Sequence, residues 1–238
     1  MRNISTDILD TPIYRIISIE RLFEMFEMRK LILPKVNTWE DPYENFFLKS
    51  DFLMNTNVVT TTNVRNRIYG QCWSKFKDSD ALWRMYSPEK KCVRIKTTVA
   101  KLFNTIYTND DCSDKSYVGF VSYKTKKEIT KWVKNKNVNM SSISKITVNS
   151  QFIKRNNFSH EKEVRIIHIL QTFVDCPNFV KFDINVHDFI ENITFDPRVD
   201  DSFYESIRQQ IKREYHYKLS RINKSVLYKF DPIGVEIR

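Results

Sequence analysis

Glu161, Glu163 and Arg165 stand at spacing two at the head of the apolar run Val164–Leu170. In an extended chain residues at that spacing share a face. Two carboxylates and a guanidinium would then point together from the mouth of a buried strand. Charges are costly there unless they pair or react. An ion pair of Glu163 with Arg165 would close the strand end, whereas a catalytic carboxylate would use the strand as a rigid support. Arg15 raises the same question on the otherwise apolar run Pro12–Ile17. Its planar fork suits a buried carboxylate partner or a phosphate clamp. A metal-dependent nuclease is a further chemistry: Glu89-x-Lys91 is an E-x-K half-motif, and Asp78, Asp80 and the Glu161/Glu163 pair could supply Mg²⁺ ligands. E-x-K arises readily by chance in a Lys-rich chain, and no strand-borne Asp precedes it at a convincing spacing.

The elements that must position these residues follow from periodicity. Pro12–Ile17 reads as a strand, followed by a helix that Ser18 can cap, with Leu22, Met25, Phe26 and Arg29 at helical spacing and Pro34 ending the unit. Asn37–Glu44 is a turn with aromatic anchors, and Ser50–Arg67 is a polar excursion or lid. Ile68–Phe76 reads as a strand carrying Ser74. Asp78-Ser79-Asp80 caps a short helix on which Trp83 and Tyr86, three apart, share a face. Lys91–Lys96 and Tyr117–Tyr123 are strands, and Val99, Leu102, Phe103 and Ile106 form the core stripe of a helix. Thr125–Asn135 is a basic helix with Lys126, Lys127, Lys131 and Lys134, read as a solvated face ahead of a nucleic-acid contact. Ser144–Val148, Lys181–Val186, Ile190–Phe195 and Ser225–Phe230 are strand candidates. Ser202-x-x-Glu205 matches a capping box opening a helix to about Tyr217, which presents Arg208, Lys212, Arg213 and Lys218. Strands and helices alternate irregularly without repeats or a linker, which predicts a single mixed α+β domain over residues 1–238.

Composition narrows the partners. The chain has 238 residues and a net charge of +10, which suits an anionic partner, most simply nucleic acid. Only three glycines are present, and neither G-x-x-x-x-G-K nor G-x-G-x-x-G occurs. A nucleotide would therefore be held without a Gly-rich phosphate loop. The four cysteines are scattered without a C-x-x-C pair and form no ligand spacing with the four histidines. Inert thiols in a reducing compartment are expected, with no metal centre. Apolar runs are too short to span a membrane, and the N-terminus lacks an apolar signal region, so a cytoplasmic location is expected.

In order, Tyr14-Arg15, Trp39-x-Asp41-Pro42-Tyr43-Glu44, Trp73-Ser74, Trp83-x-x-Tyr86 and Glu161-x-Glu163-x-Arg165 resemble the signature of a family of bacterial domains of unknown function. That family is common in mobile elements and defence loci. One departure is visible: Ser87-Pro88-Glu89-Lys90-Lys91 stands where the family usually has a small or Gly-containing turn. The same landmarks resemble the three-part signature of ADP-ribosyltransferases. That resemblance implies a mixed, mostly antiparallel β core of ADP-ribosyltransferase type with peripheral helices, and NAD as substrate. It gives Arg15 the NAD phosphates or adjacent ribose, Ser74 the middle core strand, and Tyr86 with Trp83 the nicotinamide face. Glu163 would be the catalytic acid and Glu161 the residue facing the acceptor. A toxin or anti-phage effector modifying RNA or DNA, with an antitoxin protein as partner, is the implied setting; beside the nuclease, a non-catalytic nucleic-acid-binding module using the basic helices is the other alternative.

Overall fold

The computed structural model describes residues 8–50, 66–108, 115–136, 142–171 and 176–234, with the backbone of 52–54 and 57–59. β1 (Pro12–Ser18) leads into α1 (Ile19–Met28), β2 (Lys30–Pro34), α2 (Phe46–Lys49) and the short pair β3 (Phe52–Met54) and β4 (Asn57–Val59). Next come β5 (Ile68–Ser74), α3 (Asp80–Tyr86), β6 (Cys92–Thr98), α4 (Val99–Thr108), β7 (Lys115–Phe120) and β8 (Ser122–Lys124). Then follow α5 (Lys126–Lys134), α6 (Ile143–Ser150), β9 (Ile153–Arg155) and β10 (Glu163–Ile169). The chain continues with β11 (Phe179–Asp183), α7 (Val186–Phe189), β12 (Asn192–Phe195), α8 (Asp201–Tyr215) and β13 (Ile222–Lys224).

Seven strands form the main sheet in the order β13-β12-β6-β1-β5-β10-β7. Neighbours are antiparallel except β12 and β13. The mixed, mostly antiparallel α+β core expected from the pattern is therefore present. β10 is flanked on both sides, so Val164, Ile166 and Ile167 are buried. This is why the segment is continuously apolar instead of alternating. α1 buries Ile19, Leu22 and Phe26 against the sheet, and α4 buries Val99, Leu102, Phe103 and Ile106. Each such side chain stabilises the fold by about 1.5–3 kcal/mol.

The sheet is not uniformly zipped. β1 and β6 keep register from Pro12↔Thr98 to Ser18↔Cys92, and β5 and β10 from Ser74↔Glu163 to Ile68↔Ile169. β1 and β5 share only Tyr14↔Ser74. The sheet thus divides along a central seam between these two strands.

Several elements differ from the pattern-based expectation. Ser144–Val148 is not a strand but part of α6, which buries Ile146, Thr147, Val148 and Ser150. Strand preference of β-branched residues amounts to less than about 1 kcal/mol and yields to packing. α8 is capped by Asp200, which accepts from the Ser202 and Phe203 amides, so Ser202 lies inside the helix and the expected box does not form. Ser225–Phe230 is not a strand; pairing ends at β13, and Val226, Tyr228 and Phe230 are exposed. The segment before Pro34 is a strand of its own, because Arg29 takes a left-handed conformation (φ 51°) and stops α1. Most of the expected lid at 50–67, the polar loop after Tyr107 and Cys112 lie outside the described residues. In the turn after Tyr86, Lys90 takes φ 62°. A left-handed residue is present there as in a Gly-containing turn, at a cost of about 1–2 kcal/mol for a non-glycine.

Candidate active site

The seam opens into a cleft walled by β1, β5, α3 and the turn before β10. Arg15, Ser74, Trp83, Tyr86, Glu161 and Glu163, which come from four separate parts of the sequence, all line it.

At its floor three carboxylates meet two cations. Lys154 Nζ, on β9, lies 2.9 Å from Glu163 Oε1 and 3.1 Å from Glu44 Oε1, and also bonds Glu161. Arg165 donates from Nε to Glu163 Oε2 at 2.6 Å, from Nη2 to Glu44 Oε1 at 2.7 Å and from Nη1 to the Gln151 carbonyl at 2.8 Å. Arg165 is 0% exposed and Glu163 6%. The ion pair of Glu163 with Arg165 is thus present, within a larger network. The guanidinium also lies 4.5 Å from the Trp39 ring centroid. Trp39 fits because β5 carries Gly70 there: a Cβ would stand 3.0 Å from its Cζ2 and 2.9 Å from Ile167 Cδ1.

Glu161 does not lie on the strand, as its spacing suggested. It ends a 3-10 turn (Asn156–Glu161), and Lys162 at φ 46° swings the chain before β10 begins. Both carboxylates nevertheless converge on Lys154. Ser74 holds this turn: its hydroxyl donates to the Glu161 carbonyl at 2.7 Å and accepts from the Phe76 amide at 3.0 Å. Tyr123 fixes the other side, its hydroxyl accepting from the Glu163 amide at 2.8 Å.

The two carboxylates titrate in opposite directions. Burial, and then the neighbouring Glu163, push Glu161 up to about 7. Burial would also raise Glu163, but Arg165, Glu161 and Lys154 override it and hold the group at about 2. Such a split separates a proton carrier from a permanent anion. It also fixes the sign of the pH dependence of stability. Glu161, raised above its ordinary 4.5, contributes fully below that value and loses its contribution as pH rises through about 7. Glu163, depressed from 4.5, contributes above that value and loses it as pH falls toward about 2. The pair is expected to favour folding most near about pH 5. Urea midpoints should decline from there to about pH 8, and Glu161→Gln should remove that decline; an unchanged decline in the variant would contradict the assignment.

Arg15 presents the opposite case. Among the described residues it has no ion-pair partner. Burial lowers it to about 10, so it remains cationic at neutral pH. A desolvated, uncompensated guanidinium is costly and calls for an anion. It lines both this cleft and a second one on the α1 side of the seam. Cys72, also in the cleft wall, is pushed up to about 12 by burial and Glu163, which leaves its thiol unreactive.

The α3 wall divides its two aromatics. Trp83 is buried and donates to Asp78 at 2.6 Å. Tyr86 is 48% exposed at the rim, where burial and then Glu161 raise its phenol. The wall is clamped from behind. Asp78 also accepts from Ser225 Oγ at 2.6 Å and pairs with Arg94 at 3.1 Å. Arg198 donates to the carbonyls of Trp83 and Ser87 at 3.0 and 2.9 Å. Asp80 is engaged by Arg84 and Tyr228. The carboxylates that a nuclease would use are therefore held by protein partners. Among the described residues no group of three or more His, Cys, Asp or Glu is arranged to hold a metal.

Two members of the floor network, Glu44 and Lys154, had no role in the sequence reading. Glu44 was visible as the last residue of the Asp41-Pro42-Tyr43-Glu44 element. Lys154 sits on a three-residue strand whose pattern carries no signal.

A family model described as a protein of unknown function (DUF2971) matches residues 82–166, a span containing Trp83, Tyr86, Lys154, Glu161, Glu163 and Arg165. No curated protein matches the chain. Among solved structures, Thermus sp. 2.9 DarT in complex with NAD+ is similar at 11% identity and TM-score 0.43, over 91% of this chain and 96% of that one. The same protein in complex with ADP-ribosylated ssDNA is similar at 12% identity and TM-score 0.42, over 91% and 94%. These are distant likenesses of architecture, and the function proposed for the cleft rests on its own residues.

Proposed function

We propose that the cleft is the active site of an NAD-dependent ADP-ribosyltransferase. The observation that carries this reading is the pairing of opposites across one cleft: an unpartnered guanidinium, Arg15, facing a carboxylate, Glu163, held ionised. NAD fits both ends. Its pyrophosphate supplies the anion that Arg15 lacks, and cleavage of its nicotinamide–ribose bond develops positive charge on the ribose beside Glu163. Nicotinamide leaves with the bonding electron pair, its ring oriented by the exposed face of Tyr86. Glu163 accepts from the ribose 2′-hydroxyl and stabilises the oxocarbenium-like state, most strongly where water is excluded. Glu161 takes the proton of the attacking acceptor, for which a value near neutral is suited. Ser74 and Trp83 act by holding the Glu161 turn and the α3 wall.

The acceptor in this reading is nucleic acid, in keeping with the +10 net charge, with RNA placed ahead of DNA. The setting is a cytoplasmic toxin or anti-phage effector restrained by an antitoxin protein. The test is incubation with labelled NAD and total cellular RNA, DNA and protein, alongside Glu163→Gln. Label in a nucleic-acid fraction that the variant loses is the expected result. Label in protein would reassign the acceptor, and intact NAD with Mg²⁺-dependent cleavage of nucleic acid would favour the nuclease.

Arg15→Met separates binding from folding. Charge-assisted hydrogen bonds contribute about 1.5–3 kcal/mol, so NAD affinity by calorimetry should fall about ten-fold or more. Thermal stability should hold or rise, because a half-buried guanidinium with no carboxylate partner among the described residues is removed. Unchanged affinity would take Arg15 out of the site.

A further inference from the structure

The two basic helix faces differ in a way that net charge conceals. On α8, Arg208 pairs with Glu205 at 3.2 Å and Arg213 with Glu214 at 3.3 Å, so both arginines of that face are offset by its own acids. On α5, Lys126, Lys127, Lys131 and Lys134 are exposed, and none has a carboxylate at ion-pair distance among the described residues. The one acid of the helix, Glu128, is turned back on Thr125 in a capping box. Like charges crowded on one helix destabilise it, and an anionic partner removes that cost.

The positive charge continues from α5 to the cleft. Lys124 follows Tyr123, whose hydroxyl receives the Glu163 amide at 2.8 Å. Lys162 is the exposed residue between the two cleft carboxylates. The Lys75 amide donates to the Lys162 carbonyl at 3.1 Å, and the Lys75 ammonium lies 4.6 Å from the Phe120 ring centroid. These three lysines also lack a carboxylate partner among the described residues. At the cleft mouth Phe76 and Tyr86 are 42% and 48% exposed. Lysines on adjoining elements therefore lead from α5 toward the open aromatic face of Phe76 at the cleft mouth.

We propose that α5 and Lys124, Lys162 and Lys75 form a track for single-stranded nucleic acid, its phosphates on the lysines and its acceptor base stacked at Phe76, with Tyr86 left to the nicotinamide. The strand is single because the floor carboxylates are buried and a base held in a duplex does not reach them. Aromatic faces beside a cationic groove serve unstacked bases of any sequence. What happens to the base in the cleft rests on the transferase reading; binding along the track does not.

The test is fluorescence anisotropy, without NAD, of labelled RNA and DNA strands of about 20 nucleotides and the matching duplex. The protein should bind a single strand several-fold tighter than the duplex. The triple change K127E/K131E/K134E should weaken strand binding about ten-fold or more at about 0.1 M salt and reduce the log–log salt slope by about 2, at about 0.7 for each phosphate no longer neutralised. K127Q/K131Q/K134Q should act in the same direction more weakly, and melting curves check that both variants fold. K212E/R213E/K218E makes the same change of net charge on and just after α8 and should leave affinity within about two-fold. An unaffected α5 variant, an α8 variant as weak as the α5 one, or a duplex bound as tightly as the strand would each overturn the track. Since no arm contains NAD, failure of the transferase reading leaves these outcomes unchanged.

Discussion

Glu163→Gln is expected to reduce ADP-ribosyl transfer by about 10²–10³-fold or more, the loss typical of a single group aimed at developing charge. Saturating NAD should not rescue it, because the interaction is made in the transition state and the defect falls on kcat. The fold should survive the change. Three carboxylates face two cations at the floor, and one negative charge fewer leaves them balanced. The cost is local: a glutamine amide must set one N–H₂ against Lys154 or Arg165, which is a lost hydrogen bond and not an isolated charge. Far-ultraviolet circular dichroism and a cooperative melt should therefore resemble those of the unmodified protein. The variant should also lower the Glu161 pKa, since Glu163 is second to burial among the causes that raise it. Full activity in Glu163→Gln would end the assignment.

Arg165→Met is expected to act in the other direction, on folding before chemistry. The side chain is wholly buried and joins Glu163, Glu44 and the Gln151 carbonyl. Removing one partner of a buried charge network leaves the others uncompensated, at a cost of about 3–5 kcal/mol. With urea slopes of about 1–3 kcal/mol/M, the unfolding midpoint should fall by about 1 M or more. Adding Glu44→Gln should recover part of this loss, since that change removes a negative charge which Arg165 had balanced. Additive losses in the double variant would mean that the two residues do not act as a unit. Arg15→Met provides the contrast: the same substitution of a half-buried guanidinium, with stability kept and affinity lost if the proposed role holds.

The sequence made the site's residue types legible because each broke a local rule. Arg15 interrupts an apolar strand, and Glu161, Glu163 and Arg165 crowd the mouth of another. Strands and helices with a clean stripe, such as β1, β5, α1 and α4, were equally readable. Legibility failed where an element was too short to show a period, as with β8 and β9, and where packing outweighed propensity, as in α6. Lys154 was hidden for the first reason. Glu44 was hidden because its partners come from 110 or more residues away, at Lys154 and Arg165. Ser74 was placed correctly on its strand, yet its work is to hold a backbone turn, which no spacing reveals.

The single shared register position between β1 and β5 has a mechanical meaning. Elsewhere in the sheet, backbone hydrogen bonds resist separation of neighbouring strands; along this seam that resistance is delegated to whatever fills the cleft. The occupant becomes a temporary structural member, joining two half-sheets that are otherwise stitched at one point. Its affinity and the chain's resistance to unfolding are then one linked quantity, rising together as RT ln(1 + [L]/Kd). On the proposed reading, turnover breaks the occupant in two and would leave the half-sheets joined by that one register position and their shared core.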